Sequence, residues 1–105
     1  MFYTFSQNNS GGVFDRDSSV DDYVIIEANS AEQANRRAQA VGIYFDGCRA
    51  GLDCDCCGDR WYEQWDDTDG SVAPEIYGDT DLKDYRVFVH YQNGVVDHFD
   101  FSKGR

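Results

Sequence analysis

The sequence predicts one α+β domain over residues 1–105, built as an antiparallel sheet of four to five strands with one helix packed across a face. Three observations carry this reading. Ser30 to Val41 places small apolar residues at helical spacing behind a capping serine. Several other stretches are apolar at strand length, and the last two flank Asn93-Gly94, a strong hairpin signal. A chain of 105 residues suffices for one core and is too short for two, and 41% hydrophobic with 15% aromatic content supplies burial that a disordered acidic tail lacks.

Phe2 to Gln7 alternates aromatic and small polar residues and reads as a strand. Asn8 to Gly12 then opens a hairpin toward Val13 and Phe14. Asp22 to Ala28 (DYVIIEA) has a nearly continuous apolar centre, as expected of a central strand in a sheet covered on one face. In the helix, Ser30 and Gln33 form a capping-box pair, Ala31, Ala34, Ala38 and Val41 share a stripe, and Gly42 supplies the terminating residue. The stretch Asp66 to Asp84, broken by Gly70, Pro74 and Gly78, reads as a mobile acidic loop. A two-residue turn at Asn93-Gly94 would set Tyr91 opposite Val96, His90 opposite Asp97 and Phe88 opposite Phe99. That register puts His90 and His98 on opposite faces.

The formal net charge is −11, sixteen of the twenty acids are Asp, and Asp66 to Asp84 holds seven acids against one base, Lys83. Such a surface repels phosphate, so direct contact with nucleic acid or an anionic membrane is not expected, while a partner with a basic surface or a cation is. No apolar run approaches the roughly 20 residues of a membrane span, and the opening MFYTFSQ has no export signal. The four cysteines are accordingly expected in a reducing compartment, as thiols or metal ligands rather than a disulfide framework.

The cysteine segment is the unusual local signature. Cys48, Cys54, Cys56 and Cys57 match zinc in number and softness, but adjacent Cys56 and Cys57 depart from paired Cys-x-x-Cys arms. Reduced thiols, a mononuclear zinc site and a disulfide all stay open. Beside the cysteines, Trp61, Tyr62 and Trp65, with Asp66, Asp67 and Asp69, combine the aromatic and charged residues of a partner-binding patch; the alternative is that the tryptophans are core. The run Asp66-Asp67-Thr68-Asp69-Gly70 is no EF-hand, because Trp65 and Ile76 fall on its first and last ligand positions. No phosphate-binding glycine loop or nucleophile elbow is present, and no nucleophile, base and stabiliser can be placed together, so an enzyme is not expected.

Through FYTFSQNNSGG, VIIEANSAEQANRRAQAVGIYFDG and CDCCGDRWYEQW, over about residues 2–65, the chain resembles a family of small uncharacterised proteins encoded by tailed bacteriophages. The resemblance implies expression in a bacterial host cytoplasm and implies no activity. The function expected is that of a small acidic phage accessory protein that binds, and inhibits or sequesters, a host factor through protein–protein contacts. Two alternatives stand beside it, a zinc-stabilised structural module and a binder of small molecules or nucleotide derivatives using the Asn8 to Gly12 loop and the aromatics as a pocket.

Overall fold

In the computed structural model, which describes residues 1–8, 14–53, 55–65 and 68–101, β-branched runs form the inner strands of a four-stranded sheet. The element order is β1 (Phe2–Ser6), β2 (Tyr23–Glu27), α1 (Ala31–Ala40), a 3₁₀ turn (Leu82–Asp84), β3 (Arg86–His90) and β4 (Val96–Asp100). The strands lie in the order β1-β2-β3-β4. This is the small α+β architecture expected from sequence, with one difference of direction. β2 and β3 pair in parallel, Val24 beside Phe88 and Ile25 beside Val89, so the sheet is mixed rather than antiparallel throughout. The reason is the length of the connection: everything from Ala28 to Tyr85, α1 included, carries the chain back to the starting end of the sheet, as parallel pairing requires. Among the described residues no strand lies between β1 and β2; Val13, half of the proposed second strand, falls outside them.

α1 forms as its sequence dictates. The Ser30 hydroxyl accepts from the Gln33 amide at 3.1 Å, and the Gln33 side chain reaches back to the Asn29 amide at 2.6 Å. Ala31, Ala34 and Ala38 are buried, and their small side chains let the helix lie close on Tyr3, Phe5, Val24 and Ile26. Trp61, Ile43 and Val20 complete this first core.

β2 and β3 are apolar on both faces, so a one-sided cover does not suffice. Ile25, Val87 and Val89 face away from the helix and pack with Ile76 and Leu82 into a second core. Those two residues come from the acidic stretch, which is therefore a packed cover and not the loose loop expected. Ser71 exchanges two backbone hydrogen bonds of 2.8 Å with Phe2, extending the sheet beyond β1, and the Thr4 hydroxyl donates to the Glu75 carbonyl at 2.6 Å. Charged side chains point outward around two apolar anchors.

The hairpin register differs from expectation by one residue. His90 lies opposite Val96, Val89 opposite Asp97 and Phe88 opposite His98. A two-residue type I′ turn needs positive φ at both central positions, but here Gly94 has it (φ 93°) and Asn93 does not. The chain instead closes a three-residue loop, Gln92 to Gly94, with Tyr91 N–H donating to the Val95 carbonyl at 2.9 Å. A one-residue slip turns every β4 side chain over. His98 thus joins His90 on one face, and its ring stacks on Phe88 with centroids 3.9 Å apart.

Candidate functional site

The segment from Tyr44 to Trp65 leaves the helix and returns beside β1, and buried polar groups hold its shape. Asp53 anchors it: its fully buried carboxylate accepts from the Tyr44 hydroxyl at 2.7 Å and from the Arg60 amide at 2.8 Å. Arg60, also buried, donates from Nε to the Tyr44 oxygen at 3.0 Å and from Nη1 to Gln7 at 3.0 Å. Asn8 adds bonds from Nδ2 to the carbonyls of Cys57 and Asp59, at 2.7 and 3.1 Å. Gly47 is required by this packing, since a Cβ there would stand 1.8 Å from an Asp53 oxygen. The segment is thus braced by polar bonds to the end of β1.

Two of its cysteines, Cys48 and Cys57, are thiols outside any disulfide, whereas Cys56 is disulfide-bonded; Cys54 lies outside the described residues. A disulfide is one of the three states the sequence leaves open, and Cys56 takes it. A sulfur in that state has no thiolate to give a metal, so four-sulfur zinc ligation would require the bond to open. Cys48 is half-buried, and its thiol is pushed up to about 11 from the usual 9.0 by loss of hydration, by a hydrogen bond to Asp59 and by the charges of Asp59, Asp55 and Asp53. Such a thiol is a poor nucleophile at neutral pH.

Downstream, residues 61–65 belong to no regular element, and neighbouring side chains divide between inside and outside. Trp61 is 1% exposed and belongs to the first core, which corrects its expected place in a partner-binding patch: its indole fills the space between helix and sheet. Tyr62 is 59% and Trp65 77% exposed. Gln64 points inward, its N–H donating to Asn35 Oδ1 at 2.8 Å, its carbonyl accepting from Asn35 Nδ2 at 3.0 Å and its side chain donating to the Thr4 carbonyl at 2.8 Å. The helix therefore clamps the backbone between Tyr62 and Trp65. Asp69 is exposed, and Asp66 and Asp67 lie outside the described residues.

A cleft of about 290 Å³ is lined by the aromatic Phe45, Trp61, Tyr62 and Trp65 and by the acidic Asp46, Asp59 and Glu63. A second depression, of about 330 Å³, runs along the seam of the other core beside Pro74, Leu82, Lys83 and Phe99. It has no exposed tryptophan and includes a base, so the first cleft is the better match to a chain that is acidic overall.

With the geometry in place, a family model described as a domain of unknown function (DUF7296) matches residues 1–104. The chain belongs to that family. No curated protein and no solved structure matches it. In this DUF7296 chain the site must accordingly be read from its own residues.

A third cluster sits at the hairpin. Asp21 is buried, its Oδ2 lying 2.8 Å from His98 Nε2 and its Oδ1 3.3 Å from Arg16 Nε. With Asp100 these groups bring ligand atoms within 4.8 Å of one another. Arg16 also pairs with Asp22 at 2.9 Å, and Arg86 lies 3.5 Å from Asp100. The carboxylates are thus already answered by two guanidinium groups, which a dication would oppose. The cluster docks β4 onto the loop before β2, and His90 Nε2, 2.8 Å from the Ser19 carbonyl, fastens the same loop. Among the described residues no helix is long and apolar enough to cross a membrane.

Sequence reasoning named Tyr62 and Trp65 but missed Phe45, Asp46, Asp59 and Glu63, and also the clamp residues Asn35 and Gln64. Composition flagged the first pair. The others gain meaning only through contacts distant in sequence; an asparagine midway along a short helix, where its propensity is poor, was the one available hint.

Proposed function

We propose that the chain is a non-enzymatic accessory protein of a bacteriophage that docks, in the cytoplasm of its bacterial host, on a basic surface of a host protein and inhibits or sequesters it. The observation that carries this is Trp65, 77% exposed on a backbone clamped to the helix, beside exposed Tyr62 and three carboxylates. A tryptophan in water costs solubility, and a backbone pinned through Asn35 and Gln64 beside it holds it ready for a partner at little entropic cost. The net charge of −11 would steer the protein toward basic surfaces and away from nucleic acid and anionic membranes. The phage setting rests on the resemblance through CDCCGDRWYEQW.

The absence of catalysis in this proposal is supported by Cys48, held as a neutral thiol, and by both imidazoles, each engaged through Nε2 in docking the loop before β2. For the small-molecule reading, Asn9 to Gly12 lie outside the described residues, and native mass spectrometry for a co-purified ligand tests it. Bound zinc is decided by metal analysis of protein purified without added zinc; about one equivalent would favour the structural-module reading.

The test is affinity capture of host proteins by the wild-type chain and by Trp65→Ala, each in a salt series. Raising salt from about 0.1 M to about 1 M shortens the Debye length from about 10 Å to about 3 Å. One host protein should be retained by the wild type, released as salt rises and lost at every salt by Trp65→Ala. Equal retention by both chains would refute the proposal.

A further inference from the structure

We infer that the cleft between Tyr62 and Trp65 receives an arginine side chain from a basic segment of the partner. This rests on the docking role proposed above and specifies the chemistry of the same site. Four observations converge. First, the lining combines four aromatic and three acidic residues and, among the described residues, no base; a π face attracts a cation, and guanidinium stacks on indole while its N–H groups donate to carboxylates. Second, Asp46 and Glu63 have no side-chain partner among the described residues, while the Asp59 carboxylate accepts from the Cys48 amide at 2.9 Å. Their charge is not already neutralised, in contrast to the Asp21, His98 and Asp100 cluster, where Arg16 and Arg86 intervene.

Third, the three carboxylates of the lining do not converge. Among the described residues Asp46, Asp59 and Glu63 do not bring three ligand atoms within 4.8 Å of one another. A hard point cation needs converging oxygens, whereas a planar cation with donors on several edges is matched by spread acceptors. Fourth, about 290 Å³ falls just below the usual range of ligand pockets, about 300–1,000 Å³, and suits one side chain. Asp46 adds a mark of construction, because it holds φ at 57°, a left-handed backbone uncommon outside glycine.

The occupant is tested with blocked hexapeptides that carry arginine, lysine or citrulline at one central position between two lysines and uncharged residues. Citrulline keeps the shape and hydrogen-bonding plane of arginine without its charge. Dissociation constants are read from Trp65 fluorescence and calorimetry for the wild type, Trp65→Ala and the double variant Asp46→Asn with Glu63→Gln, each first shown by thermal melting to be folded. The arginine peptide should bind at least about tenfold more tightly than the citrulline peptide, a difference that charge-assisted hydrogen bonding supports, and more tightly than the lysine peptide. Both variants should lose that preference.

Equal binding of arginine and citrulline peptides would overturn the inference, as would lysine equalling arginine. So would a tryptophan signal that changes on dilution without peptide, meaning that a second copy of the chain fills the cleft. The two proposals fail separately: host-protein capture that depends on Trp65 alongside equal peptide affinities sinks the arginine assignment alone. Arginine preference alongside capture indifferent to Trp65 sinks the docking role alone.

Discussion

The two faces of the sheet are closed by different kinds of chain. On one, a ten-residue helix with a stripe of alanines lies close to Tyr3, Phe5, Val24 and Ile26. On the other, an aperiodic acidic stretch wraps from Ser71 to Asp84 and commits just two side chains, Ile76 and Leu82, to the core. Val24, Ile25 and Ile26 are each buried, as are Val87, Phe88 and Val89, so both covers are required for these strands to leave water. The contrast teaches that a cover need not look amphipathic. Where backbone hydrogen bonds fix a segment against a strand edge, as Ser71 is fixed to Phe2, two large apolar anchors suffice and the remaining positions are free to carry charge.

The contrast can be broken most forcefully at the acidic cover. Replacing Ile76 with Ala should destabilise the fold by about 3 kcal/mol, in the range for a fully buried isoleucine, whereas Val72→Ala, at an exposed position of the same stretch, should stay within about 0.5 kcal/mol. Urea denaturation measures both. Equal small effects would mean that the stretch is the solvent loop its composition suggests. On the helical face the expected failure is the opposite one, overpacking: Ala34→Leu should cost about 2 kcal/mol, because the helix lies too close to the strands to admit the added carbons. A neutral result would show that the helix stands off the sheet.

The smallest expected effect concerns pH and the braced cysteine segment. The folded state raises the Cys48 thiol from 9.0 to about 11, so it favours the neutral form. Its stabilising contribution is complete below pH 9.0 and is lost as pH climbs through about 11. In alkylation near pH 8, exposed Cys57 should react well before Cys48, and mass spectrometry of peptides reads the order. Cys48 reacting first would contradict its placement beside Asp59.

What was legible in the sequence follows the same division. The helix, its Ser30 cap and its alanine stripe were readable because periodicity is a local signal, and so were the four strands of the structure. The acidic cover was not, since isolated Ile76 and Leu82 among charges form no pattern. The hairpin was found but its register was missed by one: Asn-Gly suits a two-residue turn, and equally a longer loop in which Gly94 alone takes the left-handed conformation. That slip reversed β4, so the pairing of His98 with Asp21 was hidden. For the candidate site, residue type was enough to raise Tyr62 and Trp65, but it could not separate them from Trp61, because burial is decided by the clamp through Asn35 and Gln64, contacts 29 residues apart.

The two tryptophans provide the most direct measurement of the binding account, since each carries an indole N–H visible as a separate nuclear magnetic resonance cross-peak. On titration with an arginine-bearing basic peptide, the Trp65 indole should move progressively, together with the amides of Tyr62 and Glu63, while the buried Trp61 indole shifts far less. Perturbation centred on the hairpin or on the acidic cover, with Trp65 unmoved at saturating peptide, would contradict the assignment of this cleft as the docking surface.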